Sequence, residues 1–155
     1  MGAKGKRGSL EGAGLTIGVI AARYNQEIVE AMVDIALAKL AELGARAEPV
    51  LTVPGSFELA LAAQALADRG DVDAVVALGC VIKGETAHFE YVAGAAAQGL
   101  MDVALESGVP VAFGVLTTYD EPQARARIEK GAEAAETAVE MANLLRDVRA
   151  VRVPS

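Results

Sequence analysis

The stretch "DAVVALGCVIKGETAHFEYVAG", residues 73–94, joins two kinds of sequence through one short loop. Its opening residues, "DAVVALGCV" (73–81), are apolar at odd and even positions alike, the pattern of a parallel strand buried on both faces. From about Ala87 to Ser107 the chain reads as a helix. Between them, "IKGETAH" offers Gly84, where backbone can approach a ligand, and Thr86, which can cap the following helix. Such a strand feeding a helix is one unit of a parallel α/β layer, so the same unit is expected elsewhere.

It recurs three times. "LTIGVIAA" (15–22) is a β-branched run followed by "RYN" and a helix with Ile28, Met32, Ile35, Leu40 and Leu43 near helical spacing. Asn25 is its expected N-cap and Gly44 its stop. "AEPVLTV" (47–53), edged by Pro49, leads through Pro54-Gly55 into the helix "SFELALAAQALADRG". "VPVAFGVLT" (109–117) precedes a helical region that opens at Asp120, with Gln123 completing a variant capping box. That region should run to about Asp147, kinked or split at Gly131. The pattern predicts an α/β fold: a three-layer αβα sandwich with a four-stranded parallel sheet and helices on both faces. Ligands of such sheets bind beyond the carboxyl ends of the strands. The loops there are "RYN", "PGSFE", "IKGETAH" and "TTYDEP".

A length of 155 residues suits one domain, read here as 15–148 between a mobile arm (1–14) and a tail (149–155). Apolar residues at 53% and charged residues at 23% argue against disorder. Aromatics are only 4%, so the core must be aliphatic. A mean hydropathy of +0.34 is high for a soluble monomer and points to buried subunit surface. The net charge of −7 disfavours nucleic acid, because no broad cationic surface exists for phosphate contacts. No apolar run reaches membrane-spanning length, and the basic first residues lack the apolar core of a secretion signal. The single cysteine excludes an internal disulfide or a cysteine-rich zinc site, and it suits a reducing compartment. A cytoplasmic protein is expected.

The loops supply the chemistry. Gly84 and Thr86, ahead of a helix N-terminus, form an anion site by geometry. His88, the only histidine, falls in the first turn of that helix, where an imidazole can accept and return a proton; a capping or half-buried histidine is an equal reading. Cys80, inside the apolar strand, reads as a small hydrophobe. Tyr24 and Phe57 could stack on a planar heterocycle, with Asn25 and Glu58 bonding its polar edge or a polyol. Equally, Tyr24 could staple against Val29 and Glu58 could serve the helix dipole. Arg127 and Lys130 share a helix face and, with Arg125, could hold a phosphate, although Glu129 and Glu133 could neutralise them. The dinucleotide fingerprint fails because the glycines of "GAGLTIG" precede the first strand, and no phosphate loop ending in Gly-Lys-Ser/Thr exists.

Taken in order, "ARYN", "VPGSFELALAA", "ALGCVIKGETAHFEYVA", "VPVAFGVLTT" and "EKGAEAAETAVEMANL" closely resemble the lumazine synthases over roughly Leu15 to Leu145. The resemblance implies a flavodoxin-like layering and a transferase of riboflavin biosynthesis that needs no cofactor and no metal. The implied substrates are 5-amino-6-(ribitylamino)uracil and 3,4-dihydroxy-2-butanone 4-phosphate, giving 6,7-dimethyl-8-ribityllumazine, phosphate and water. It further implies that Tyr24 stacks on the pyrimidine, where the family most often has phenylalanine. Asn25 and the backbone near Val81 and Ile82 would bond the ring edge, while Ser56, Phe57 and Glu58 would hold the ribityl chain. Gly84, Glu85, Thr86, Ala87 and Arg127 would hold the phosphate, and His88 would move protons. Lys130 matches the lysine of a Lys-Gly step, and Phe113 would close the site from a neighbouring subunit.

The implied assembly is a homopentamer with sites between subunits, and in many members twelve pentamers make an icosahedral 60-mer. No bulky insertion near Gly131 blocks such a shell. Two departures stand out. The stretch from Arg127 to Lys130 is several residues short, which leaves Arg125 as an alternative to Arg127. Glu85 also adds a carboxylate beside the phosphate, tolerable only if it points away. A flavodoxin-type carrier would need a Ser/Thr/Gly-rich loop where this chain has "ARYNQ". A shell-forming relative without catalysis is opposed by the retained Tyr24, Glu58, His88, Arg127 and Lys130.

Overall fold

The computed structural model describes residues 4–150. Strand β1 (Thr16–Ala22) lies between β4 (Ala74–Ile82) and two short pieces, β2 (Arg46–Ala47) and β3 (Leu51–Val53), with β5 (Val111–Thr118) beyond β4. Every pairing is parallel: Ile17 stands opposite Ala74, and Val75 opposite Val111. The sheet therefore has five strands and not the expected four. The reason lies at Pro49, within the stretch 47–53 expected to be one strand. Ala47 pairs with Ile17, an offset of 30, but Leu51 pairs with Ile20, an offset of 31. One extra residue is thus bulged out around a proline that has no N–H to give the ladder.

Both faces of the sheet are covered, as its unbroken apolar strands require. Ile17, Val19 and Ala21 of β1, with Val76, Leu78 and Cys80 of β4, pack under α1 (Gln26–Leu43) and α5 (Lys130–Ala150). Ile20, Val75, Ala77 and Val81 pack under α2 (Leu59–Arg69) and α3 (His88–Ser107) on the other side. This is the layering expected. A single 3-10 turn, Ser56–Glu58, precedes α2.

The buried row of α1 is Ile28, Met32, Ala36 and Leu40, not the row containing Ile35. Steps of four keep one line along the helix, and Ile35 falls about 100° round from Ala36, at the flank. Gly44 ends the helix in a left-handed conformation, φ 85°, as expected. Asn25 holds the N-cap position, yet its side chain does not cap.

The last helical region does split, but before Gly131. A short α4 (Glu121–Arg125) and α5 are joined by residues 126–129. Asp120 caps α4 by accepting from the Gln123 N–H at 2.9 Å, as the capping signal predicts, whereas Gln123 Oε1 accepts from the N–H of Tyr119. Gly131 lies in the first turn of α5 for another reason. A β-carbon there would run into the Met32 backbone carbonyl of α1, so a hydrogen is what lets the two helices meet. Gly131→Val should cost about 2–3 kcal/mol of stability, read from the urea midpoint at unchanged slope.

The segment read as a mobile arm is laid along α5. Asn143 Nδ2 donates to the carbonyls of Ser9 (2.8 Å) and Glu11 (2.9 Å), and Gly8 is pressed against Glu140. Residues 1–3 of the arm and 151–155 of the tail lie outside the described residues. On α2 and α3 the large side chains Leu61, Tyr91, Met101 and Leu105 stay exposed. No helix among the described residues is long and apolar enough to cross a membrane.

Candidate active site

The carboxyl ends of β1, β3 and β4 open into one cleft of about 720 Å³ on the α2–α3 side. Three loops and the start of α3 line it. Tyr24 follows β1 and is 73% exposed as a residue, so it is not packed down as a staple against the buried Val29. Ser56, Phe57 and Glu58 come from the turn after β3, held by Gly79, whose missing side chain makes room for the Ser56 hydroxyl. The Glu58 carboxylate accepts from the Gly55 N–H at 3.0 Å through Oε1, a capping contact at the start of the turn where only a dipole role was expected. Val81 and Ile82 form the floor from β4.

Gly84, Thr86 and His88 complete the wall. Helix α3 begins at His88 with Ala87, and not Thr86 as expected, in the N-cap position; Thr86 Oγ1, one residue further out, accepts from the His88 backbone N–H at 3.3 Å. The His88 side chain is exposed at the cleft and neither capping nor half-buried. Glu85 and Ala87, expected with the phosphate, are exposed and do not line the cleft.

Asn25 is placed differently from expectation. It is the only non-glycine among the described residues with positive φ (60°), a conformation asparagine tolerates better than most. Its Nδ2 donates to the Cys80 carbonyl at 2.8 Å and it does not line the cleft. The residue thereby fastens the Tyr24 loop to the end of β4. The Cys80 thiol is pushed up to about 11, first by burial and then by the nearby Glu121 charge, which suits a packing role and not a nucleophile.

Phe113, Arg127 and Lys130 are not brought to this cleft within one chain. They line a separate groove of about 590 Å³ along the outer edge of β5, with Glu129 and Glu133. Arg127 Nη1 donates to the Gln123 carbonyl at 2.9 Å. Both arms of Arg125 are taken, by Glu27 at 3.3 Å and Glu121 at 2.9 Å. No group of three His, Cys, Asp or Glu among the described residues is placed to hold a metal ion.

Four cleft residues were not singled out from sequence: Pro54, Gly55, Phe89 and Val92. Val92 stands one helical turn beyond His88, so helical spacing from the histidine carried a usable signal. Lys83 does not line the cleft; its ammonium lies 5.5 Å from the Tyr119 ring centre.

Fold and site together define a doubly wound α/β protein with a cleft at the strand ends and a second groove on its flank, where Arg127 and Lys130 stand among Glu129 and Glu133. The family model described as 6,7-dimethyl-8-ribityllumazine synthase matches residues 14–146. A curated relative of that name from Leptothrix cholodnii is 47% identical over 94% of this chain and 96% of its own length. Another, from Paraburkholderia phymatum, is 49% identical over 88% of this chain and 81% of its own, and one from Ralstonia pickettii is 47% identical over 90% and 86%. The chain belongs to the 6,7-dimethyl-8-ribityllumazine synthase family.

Proposed function

We propose that this chain carries out the reaction for which its family is named. It joins 5-amino-6-(ribitylamino)uracil to 3,4-dihydroxy-2-butanone 4-phosphate, releasing phosphate and water, at sites built from two copies of itself. The observation that carries this is the division of labour between two surfaces. The cleft gathers an aromatic plate, a polyol acceptor and the imidazole, while the aromatic lid and cations lie in a groove elsewhere on the same chain.

In this reading Tyr24 stacks on the pyrimidine, and the Val81–Ile82 backbone bonds its edge. Asn25 acts by holding the Tyr24 loop. Ser56, Phe57 and Glu58 take the ribityl chain, Glu58 through the carboxylate oxygen that Gly55 leaves open. Gly84 and Thr86 receive the phosphate, with Arg127 arriving from the neighbouring copy alongside Lys130 and Phe113. Glu85 and Ala87 shape that loop from outside. The amine attacks the ketone and water leaves to form an imine, phosphate leaves by elimination, and the second amine closes the ring on the remaining carbonyl with loss of a second water. Each step moves a proton, and in this reading the His88 imidazole, exposed at the cleft, takes and returns it. Holding the two reactants together supplies much of the rate, and Arg127 stabilises the phosphate as it leaves with more charge.

The same reading makes the protein a cytoplasmic homopentamer. The exposed Leu61, Tyr91, Met101 and Leu105 support a buried subunit contact, and the short connection before α5 leaves a 60-mer shell sterically open. Incubation with both substrates should give lumazine absorbance and an equal amount of free phosphate. Protein that turns yellow with flavin yet forms no lumazine would replace this proposal with the carrier reading.

A further inference from the structure

We infer that Arg125 is a positioning residue: by bridging Glu27 and Glu121 it holds the short helix α4 and so sets where Arg127 stands. This rests on the reading of Arg127 as a phosphate ligand. Helix α4 has five residues, too few to persist without outside contacts. Its apolar anchor is Ala124, fully buried against the α1 side of the sheet. The bonds of Tyr119 and Gln123 tie α4 to the end of β5. Among the described side-chain hydrogen bonds, Arg125 to Glu27 is the one that carries α4 across to α1, 98 residues away in the chain.

Arg127 lies two residues beyond α4, and residues 126–129 are all that separate α4 from α5. Its guanidinium rests on the Gln123 carbonyl, inside the same helix. Any tilt of α4 therefore moves Arg127 directly, because the short connection has no slack to absorb it. Arg125 is not placed to bind the phosphate itself. Its one positive charge sits between two carboxylates, so the trio carries a net negative charge that repels an anion. The bridge is exposed, and such pairs add little to stability. Variants that break it should fold, which makes its positional effect separable.

The test is steady-state kinetics on assembled protein, together with calorimetric binding of inorganic phosphate, for Arg125→Ala, Glu27→Ala, their double variant and Arg125→Lys. Arg125→Ala should raise the KM for the butanone phosphate about three- to fivefold, with kcat and the pyrimidine KM held within about twofold. Glu27→Ala should act in the same direction, the double variant should be no worse than Arg125→Ala, and lysine should restore part of the loss. Phosphate affinity should fall in parallel. An improved KM in Glu27→Ala overturns the inference, since it would show that releasing Arg125 and removing one negative charge matter more to the anion than holding α4 in place. Unchanged phosphate binding in Arg125→Ala also overturns it, as does wild-type protein that binds no phosphate. Wild-type protein that binds phosphate but makes no lumazine overturns the proposed reaction instead, and the binding comparison still decides the clamp.

Discussion

Replacing His88 with alanine should lower kcat about a hundredfold, the range typical of losing a positioned general acid–base. The fold should be untouched, because the side chain is exposed and its backbone N–H, which bonds Thr86, is retained. Helix α3 gains a better helix former at its first position. Circular dichroism and particle size should therefore match the parent. The substrate constants should move far less than the turnover number, since the imidazole supplies proton transfer and not the main binding surface. Full activity in His88→Ala would remove the imidazole from the mechanism and leave the cleft as a device that acts by proximity alone.

The second large effect needs two damaged proteins. Arg127→Ser should raise the KM for the butanone phosphate by about ten- to a hundredfold, the weight of a hydrogen bond to a charged group, and leave the pyrimidine constant nearly alone. His88→Ala is damaged in the cleft, Arg127→Ser in the groove. If each site takes its cleft from one copy and its groove from another, dissociating the two variants and reassembling them in equal amounts creates some wholly intact sites. Half the clefts are sound and half the grooves are sound, so about a quarter of the junctions should work at parental rate. Sites confined to single chains would give only the average of the two weak activities. The expected result is a clear gain over both starting proteins.

The sequence was legible where chemistry and periodicity agree. Continuous apolar runs marked β1 and β4 because burial on both faces leaves no polar alternation, and β5 was legible from its apolar run although Phe113 and Thr117 on one face are exposed. The glycine stop at Gly44 was readable because only a left-handed residue can end that helix cheaply. The split of β2 from β3 was not. Pro49 signalled an edge, but whether an edge proline ends pairing or bulges it depends on the register of the neighbouring strand. Gly131 was read as a backbone break when its cause is the approach of α1, a contact from far along the chain. In the site, Tyr24, Phe57, Glu58 and His88 were legible because loop position and residue type coincide. Asn25 was placed at the right position but its side chain does not cap the helix, since nothing local reveals that Cys80 offers its carbonyl nearby. The separation of Arg127 and Lys130 from His88 follows from the flank on which α4 and α5 lie, which spacing along one chain does not encode.

The Asn25–Cys80 bond has a consequence for how a guest molecule is received. The turn that carries the tyrosine is stapled to its neighbouring strand before anything enters, so arrival does not have to freeze a wandering segment. The entropic toll of recognition is thereby confined to a few ring rotations at the mouth, and the welcome is rigid where the bases of the strands meet and soft only at its aromatic lip.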